Sequence, residues 1–267
     1  EYEEAEALFI EALAMKRKLL GDEHPEIAVG INNVAYVLHV QGNYAAAESM
    51  YAELIAMQKK LLGDDHPDVA GSINNLAYLY HDKGEQSQAI ELATESLEIK
   101  RRALGDEHPA VAHSLNTVAM WMMESGDYTA AEPMLRESLA MNIKLLGSEH
   151  PDVASSMTLL ASCLVAGTHY EEALELAGKA RKVYTKALSE DHWRTAVAES
   201  AEGAALTGLR QFSEAESLLV KSHGVLSNDA SAMAMFVTES TRRLATLYED
   251  WGKPEQAAAY LDILSDP

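Results

Sequence analysis

An octapeptide with a central His-Pro pair recurs along the chain at a fixed interval of 42 residues. It reads GDEHPEIA, GDDHPDVA, GDEHPAVA and GSEHPDVA, and its histidines are His24, His66, His108 and His150. A fifth step reaches His192, where tryptophan replaces the proline. A period between roughly 20 and 50 residues is typical of structural units that stack on one another in a single array.

Alanine follows the same period in another part of each unit. Seven positions in one register are all alanine, namely Ala5, Ala47, Ala89, Ala131, Ala173, Ala215 and Ala257. Glycine recurs less strictly, at positions 42, 84, 126 and 252, with Thr168 and Arg210 interrupting the series. The period therefore extends over all 267 residues, which we expect to form one solenoid.

Residues 63–104 show how one unit is encoded. Gly63 follows an apolar run, where a glycine with positive φ ends a helix, and Pro67 suits the first position of the next helix. The pattern predicts one helix at about 67–82 and a second at about 86–103. The apolar residues of the first helix are spaced i, i+3, i+4 and i+7, as in an amphipathic helix: Ile73, Leu76, Ala77 and Tyr80.

The chain is predicted to be all-α, with residues 1–267 forming one array of helix-turn-helix units. Residues 1–20 read as the second helix of a unit whose first helix would precede the sequence, so we expect the chain to be part of a longer protein. Six helix pairs are predicted after this first helix, which makes thirteen helices in all. The pairs span residues 25–62, 67–104, 109–146, 151–188, 193–227 and 231–264.

The loop around each His-Pro pair has two interpretations. Its histidine and carboxylates suit a metal ion, but a zinc site needs three or four ligands around one ion. Because the loops recur once per unit, their side chains would be spread along an edge. We therefore interpret the loops as helix stop and start signals, and we predict neither a metal site nor a bound cofactor.

Charge and motif content exclude several classes of function. A net charge of −21 repels nucleic-acid phosphates, and it indicates either solubility alone or a preference for neutral or basic partners. Cys163 is the only cysteine, which fits a reducing, cytoplasmic location. No apolar run reaches the roughly 18 residues that span a membrane. The GxxxxGK[ST], GxSxG and HExxH motifs are absent, and we predict that the chain is not an enzyme.

The fifth unit departs from the pattern at two core positions. Glu199 and Glu202 stand where the earlier units have apolar residues. Because a buried carboxylate without a partner is costly, we expect this helix either to be rotated or to expose that face to water.

The segment HPDVAGSINNLAYLYHDKGEQSQAIELATESLEIKRRALGDEHP, residues 66–109, resembles the 42-residue type of tetratricopeptide repeat that is found in kinesin light chains and in many bacterial proteins. The resemblance covers essentially the whole chain and is stronger through residue 188 than beyond it. It implies a right-handed α-solenoid of helix-turn-helix repeats, with the first helices lining a concave surface. It also implies a scaffold that binds an extended peptide or partner segment in that groove.

The first helix of each unit presents a repeated set of side chains away from the core. Asparagine can bond to the main chain of a peptide, tyrosine offers flat contact area, and methionine adapts to irregular shapes. The alternative is that these side chains only pack against, or bridge to, the next helix. The candidate peptide-binding residues are Asn32, Tyr36, His39, Asn74, Asn75, Tyr78, His81, His113, Asn116, Met120 and Met123.

Two other functions stay open. The segment LYEDWGKPEQAAAYLDIL, residues 247–264, resembles the ends of repeat regions that follow many bacterial serine/threonine kinases. This resemblance suggests the regulatory region of a larger bacterial signalling enzyme. An open solenoid end at residues 1–20 instead suggests self-assembly into a homo-oligomer.

Overall fold

The protein is built from helices and the turns between them. The computed structural model describes the backbone of residues 2–265 and the side chains of residues 4–265. Across residues 2–265 there are thirteen α-helices and no strand, which confirms the predicted all-α class. Glu1, Asp266 and Pro267, which the predicted array includes, lie outside the described residues.

The helices alternate between two sets, which we call A helices and B helices. The A helices are α2 (Pro25–Val40), α4 (Pro67–Asp82), α6 (Pro109–Glu124), α8 (Pro151–Ala166), α10 (Trp193–Gly208) and α12 (Ala234–Asp250). The B helices are α1 (Tyr2–Leu20), α3 (Tyr44–Leu62), α5 (Gln86–Leu104), α7 (Tyr128–Leu146), α9 (Tyr170–Ala187), α11 (Phe212–Asn228) and α13 (Pro254–Ser265). Over residues 2–265, no helix combines the length and apolarity needed to cross a membrane.

The helices fall into two compact units that divide between residues 125 and 126. Unit 1 holds α1 to α6, and unit 2 holds α7 to α13. Within each unit, every helix packs against the next helix along the chain. In unit 2, α10 also contacts α8 and α12, so this A helix is enclosed by both of its A-helix neighbours.

A histidine begins five of the A helices. The Nδ1 atoms of His24, His66, His108, His150 and His192 each accept a hydrogen bond from the backbone N–H two residues later, at 3.1 to 3.2 Å. Each histidine has the extended backbone that is typical of an N-cap and of a residue before proline. The cap persists at His192, where no proline follows. The histidine of the octapeptide is therefore an N-cap, a role that the sequence pattern leaves unexplained.

The third residue of the octapeptide forms an ion pair with a base one repeat further along. In each pair, the base lies in the last turn of a B helix. These exposed pairs contribute at most about 1 kcal/mol each. The acidic loops thus link neighbouring repeats, in addition to ending one helix and starting the next. The pairs are Glu23–Lys60, Asp65–Arg102 (2.8 Å) and Glu149–Lys186 (3.2 Å).

Small residues let the A and B helices approach closely. The periodic alanines from Ala47 to Ala257 each expose 3% of their surface or less. Larger side chains fill the space around them, such as Ile31, Tyr51 and Leu54 in unit 1, and Leu206, Leu219 and Leu244 in unit 2. Each of these repeats therefore places a small residue at the same buried position.

A residue with positive φ follows each of the six A helices. Glycine holds this place in four repeats, with φ between 73° and 84° at residues 42, 84, 126 and 252. Thr168 and Arg210, which interrupt the glycine series in the sequence, take φ of 64° and 60° there. The left-handed conformation is strained for any residue with a Cβ, and most of all for a β-branched one. The turn is thus kept even where the local sequence no longer favours it.

Of the two carboxylates of α10, Glu199 is buried and Glu202 is partly buried, and both are paired, so both expectations for this helix are wrong. Glu199 is 2% exposed, and Lys221 Nζ donates to its Oε1 at 2.8 Å. Arg181 Nε donates to Glu202 Oε2 at 2.6 Å. These hydrogen bonds raise the pKa of Lys221 and that of Arg181. The helix keeps its core-facing register because bases from α9 and α11 neutralise its carboxylates.

Candidate functional site

All eleven predicted binding residues lie on α2, α4 and α6 of unit 1. We call the side of these helices that carries them the unit 1 A-helix face. The opposite side is core, since Ile31, Val34 and Leu38 of α2 are buried with residues of α3. On this side, side-chain hydrogen bonds join α2 to α4 and α4 to α6, and one of them links two predicted residues, Asn75 and Asn32.

An asparagine pair joins α2 to α4. Asn75 Nδ2 donates to Asn32 Oδ1 at 3.1 Å, and both side chains are partly buried. The packing role that the sequence left open is therefore present for these two residues. The bond uses one donor of Asn75 and one lone pair of Asn32, so both amides retain hydrogen-bonding capacity. Asn74 is also partly buried on α4.

An imidazole–carboxylate row crosses the C-terminal ends of these A helices. His39 Nε2 on α2 lies 2.9 Å from Asp82 Oδ2 on α4, and His81 Nε2 on α4 lies 2.8 Å from Glu124 Oε2 on α6. His81 Nδ1 also lies 3.4 Å from Asp82 Oδ1. The sequence pattern predicts both histidines as binding residues but neither of the two carboxylates. The available signal was their spacing, because each acid stands 43 residues after its histidine.

Trp121 supports the middle of the face from the core. Its side chain is fully buried. His81 stacks on its ring with centroids 4.8 Å apart, and Tyr78 meets the ring edge-on at 5.0 Å. Gln86 Nε2 donates to the Trp121 carbonyl oxygen at 3.0 Å. Tyr78 and His81 are thus held in position by aromatic packing.

The most exposed part of the face is a line of three apolar side chains on α2. Val29, Tyr36 and Val40 are 56%, 58% and 43% exposed. Their spacing of seven and four residues places them within about 20° of one line along the helix. The sequence pattern selects Tyr36 but neither valine. We call these three residues the α2 stripe, and they offer apolar contact area to another molecule.

The α6 helix contributes side chains of mixed exposure. His113 is exposed near its start, whereas Asn116, Met120 and Met123 are partly buried. The two methionines occupy the positions that hold tyrosine and histidine in α2 and α4. They give α6 an adaptable apolar surface where the other two helices carry ring side chains.

Lys83 follows Asp82 in the chain but pairs with other acids. Its Nζ lies 3.2 Å from Glu48 Oε2 and 2.8 Å from Glu85 Oε1. Tyr80 donates its hydroxyl hydrogen to Glu48 Oε1 at 2.9 Å, and this bond, together with Lys83, lowers the pKa of Glu48. Lys83 is therefore a cation held by two other acids.

The same register carries different chemistry in unit 2. Arg243 on α12 donates to Ser200 Oγ on α10 at 3.2 Å and to Ser162 Oγ on α8 at 3.0 Å. These serines occupy the register positions of Asn32 and Tyr36. An arginine thus bridges three A helices in unit 2, at positions where unit 1 presents an amide and an exposed aromatic ring.

The described residues offer little for metal or thiol chemistry. Among residues 4–265, no three His, Cys, Asp or Glu side chains are grouped so that they could hold a metal ion. Cys163 is buried, and its Sγ lies 3.5 Å from the Tyr128 carbonyl oxygen. Burial raises the pKa of this thiol to about 11, so it stays protonated and unreactive at neutral pH.

Sequence comparison identifies the family. One family model described as tetratricopeptide repeat matches residues 26–102, 88–143 and 110–186, and a second model with the same description matches residues 1–26. Because these matches cover more than half of the chain, the protein belongs to the tetratricopeptide repeat (TPR) family. The α-solenoid of TPR repeats that the resemblance implied is confirmed. A search among curated proteins finds no match.

Solved structures share the fold. A Podosopora anserina protein assigned as a kinesin light chain, with nearly identical TPR-like repeats, is 26% identical over 78% of this chain and 99% of its own, with a TM-score of 0.64. The apo form of RapI is 18% identical over 96% of this chain and 89% of its own, with a TM-score of 0.74. YrrB, a TPR protein with an unusual peptide-binding site, is 15% identical over 86% of this chain and 98% of its own, with a TM-score of 0.53. The predicted resemblance to kinesin-light-chain-like TPR proteins is thus confirmed.

Proposed function

We propose that the protein is an interaction scaffold that binds an extended segment of a partner on the unit 1 A-helix face. One observation carries this proposal. Three successive A helices present amide, aromatic, imidazole and thioether side chains opposite their core, and hydrogen bonds join the three helices across this surface. Such groups suit recognition of main-chain amides and of apolar side chains.

The relatives favour the same function. YrrB is described as a TPR protein with an unusual peptide-binding site, and a Rap protein of the same fold was solved in complex with Competence and Sporulation Factor. For the present chain we propose binding without catalysis, in the cytoplasm. Its net charge of −21 favours a neutral or basic protein segment over nucleic acid or an anionic membrane surface.

A selection of displayed random peptides against the full chain tests the proposal. The same selection is run against the triple variant Asn32→Ala, Asn74→Ala, Asn116→Ala. We expect a family of enriched peptides whose affinity for the variant is lower by about tenfold or more, because hydrogen bonds to the peptide main chain are lost. The anisotropy of a labelled peptide from this family gives the dissociation constants.

A matched variant controls for the loss of asparagine as such. Asn43→Ala with Asn228→Ala removes two asparagines at the start of α3 and the end of α11, and it should bind the peptide as the native protein does. Circular dichroism checks that the native protein, the triple variant and the control variant are equally folded. The proposal is overturned if no peptide is enriched, or if the triple variant binds as well as the native chain.

A second candidate function is self-association through α1. Leu8 and Leu19 of this helix are 66% and 82% exposed, and Ile10 borders a cleft of 570 Å³. Exposed apolar groups of this extent favour a covering surface, which supports the predicted homo-oligomer. Light scattering over a dilution series tests it. A monomer at every concentration contradicts it, whereas an oligomer that Leu8→Ser with Leu19→Ser dissociates supports it.

The idea of a regulatory region in a bacterial signalling enzyme stays a prediction. It rests on the resemblance of residues 247–264 to repeat regions that follow kinases. The full reading frame tests it, because a kinase carries its own catalytic motifs upstream. A reading frame without such motifs contradicts the idea.

A further inference from the structure

We infer that the partner segment carries an apolar side chain and, two or three residues away, a basic side chain. The apolar group would lie on the α2 stripe, and the basic group would lie beside Asp82 and Glu124. This inference rests on the proposed function and specifies the chemistry of the partner. The inference follows from the arrangement of these groups: α2 carries the exposed apolar stripe, and α4 and α6 carry the carboxylates of Asp82 and Glu124.

Among the described residues of α2, α4 and α6, the large apolar side chains that are exposed lie on α2, whereas the methionines of α6 are partly buried. The three side chains of the α2 stripe are each about half exposed, so covering them with a partner removes apolar area from water. One repeat later, the same line ends in a carboxylate instead of a valine. The equivalent residues on α4 are Gly71, Tyr78 and Asp82.

The carboxylates begin where the stripe ends. Val40 is the last residue of α2, and its neighbour His39 contacts Asp82, the last residue of α4. Glu124, the last residue of α6, follows one repeat further on. The side chains of Asp82 and Glu124 are 49% and 33% exposed, so a partner can reach both.

Among the residues that the structure describes, the groups that contact these carboxylates carry no fixed positive charge. They are the imidazoles of His39 and His81 and the side-chain amide of Gln86, which lies 3.3 Å from Glu124. Lys83 is held by Glu48 and Glu85. The C-terminal ends of α4 and α6 add the negative end of the helix dipole. A lysine or arginine of the partner would therefore supply the missing counter-charge.

The distance between the two positions limits the spacing in the partner. Packed helix axes lie roughly 8–10 Å apart. An extended chain advances about 3.3 Å per residue. A peptide that crosses from α2 to α4 thus spans the gap in two or three residues.

The test uses the same displayed library with two further variants of the full chain. Asp82→Asn with Glu124→Gln removes the charges at nearly constant shape, and Tyr36→Ser with Val40→Ser removes most of the stripe. We expect enriched peptides with the stated apolar and basic residues. Each variant should lower the affinity of a synthetic peptide of this family by about tenfold. Replacing the lysine of that peptide by glutamine should lower its affinity for the native protein by the same factor. The same replacement should leave its affinity for the Asp82→Asn, Glu124→Gln variant almost unchanged.

A matched control separates local contact from the general field of the protein. Asp64→Asn with Glu91→Gln removes two exposed carboxylates from a loop and from α5. Affinity should stay within about twofold, because screening weakens distant charges. A loss as large as that of Asp82→Asn with Glu124→Gln would overturn the inference.

Two outcomes distinguish this inference from the proposed function. The inference is wrong if the enriched peptides lack a basic residue, or if they bind the Asp82→Asn, Glu124→Gln variant as tightly as the native protein. The proposed function still stands in either case, provided that the triple asparagine variant loses binding. If no peptide is enriched, both are wrong.

Discussion

At the scale of single residues, the histidine of the octapeptide serves as the N-cap of an A helix. The first backbone N–H groups of a helix lack partners within it, and a side-chain acceptor satisfies one of them. Serine, threonine, aspartate and asparagine are the usual acceptors. Here the extended backbone at positions such as His108 brings Nδ1 within 3.1 Å of the N–H two residues on.

We expect His108→Ala to lower the free energy of unfolding by about 1 kcal/mol, because the cap is lost. Urea unfolding at neutral pH, followed by circular dichroism, measures the change. His108→Asn restores a side-chain acceptor and should recover most of it. Equal losses for alanine and asparagine would contradict the capping role and indicate that the imidazole matters through packing.

The pair Lys221–Glu199 shows how one residue makes another acceptable. A carboxylate that is 2% exposed tolerates burial because a base reaches it from the next helix. We expect Lys221→Ala to cost about 3 kcal/mol of unfolding free energy, since it leaves a buried charge without its partner. Urea unfolding measures the loss.

The double variant Glu199→Met, Lys221→Met provides the matched comparison. It replaces the pair by apolar groups, and Met157 holds the equivalent position one repeat earlier. Stability close to that of the native protein is expected. The exposed pair Lys60–Glu23 serves as a control, because Lys60→Ala should cost at most about 1 kcal/mol. Similar losses for Lys60→Ala and Lys221→Ala would contradict the role of burial.

At the scale of elements, the turn after each A helix keeps one backbone geometry. The Thr168 N–H donates to Val165 O at 3.1 Å, and the His169 N–H donates to Leu164 O at 2.9 Å, which together form a Schellman turn. The φ of 64° at Thr168 is the strained element of that turn. The packing of α8 and α9 maintains a conformation that threonine by itself disfavours.

We expect Thr168→Gly to stabilise the protein by about 1 kcal/mol, because glycine takes positive φ without strain. The midpoint of urea unfolding reports the gain. The control is Gly84→Ala at the same place in unit 1, where φ is 79° and an added Cβ would meet no atom of the described residues within 4 Å. The Gly84→Ala variant should lose a similar amount of unfolding free energy, through backbone strain alone. Destabilisation by Thr168→Gly would show that the threonine side chain stabilises the turn by more than its strain costs.

Helix positions are the part of this fold that local sequence encodes well. The helix predicted at 67–82 coincides with α4, and the one predicted at 86–103 with α5, apart from one residue at its end. Proline, glycine and apolar spacing act within a few residues of each boundary, so they can be read without knowledge of the packing. The expectation for Glu199 was wrong because its partner is 22 residues away, on another helix.

At the scale of the whole molecule, charge opposes compactness. The chain carries 42 acidic and 21 basic residues. Ion pairs between repeats, such as Asp65–Arg102, engage some of the acids, and most of the excess negative charge lies at the surface. Mutual repulsion of this excess destabilises the folded chain.

We expect salt to stabilise the protein. Raising NaCl from about 20 mM to about 200 mM shortens the range of charge repulsion, and we expect a gain on the order of 1 kcal/mol in the free energy of unfolding by urea. KCl at equal ionic strength should act alike, which separates screening from binding of one ion. A fall in stability would show that attractive ion pairs outweigh the repulsion.

The candidate site was only partly predictable. Tyr36, His39 and His81 were selected because they repeat on the side away from the core. Asp82 and Glu124 were missed because a carboxylate at the end of a helix is locally unremarkable. Only the distance to a histidine on the preceding A helix distinguishes them.

The sequence by itself determined the architecture, because every repeat carries its own helix signals and packs mainly on its neighbours. It could not determine which side chains meet between helices. Contacts such as Asn75–Asn32, His39–Asp82 and Lys221–Glu199 depend on how far apart and at what angle successive helices pack. Those quantities arise from the summed packing of many core side chains, and only the tertiary structure decides them.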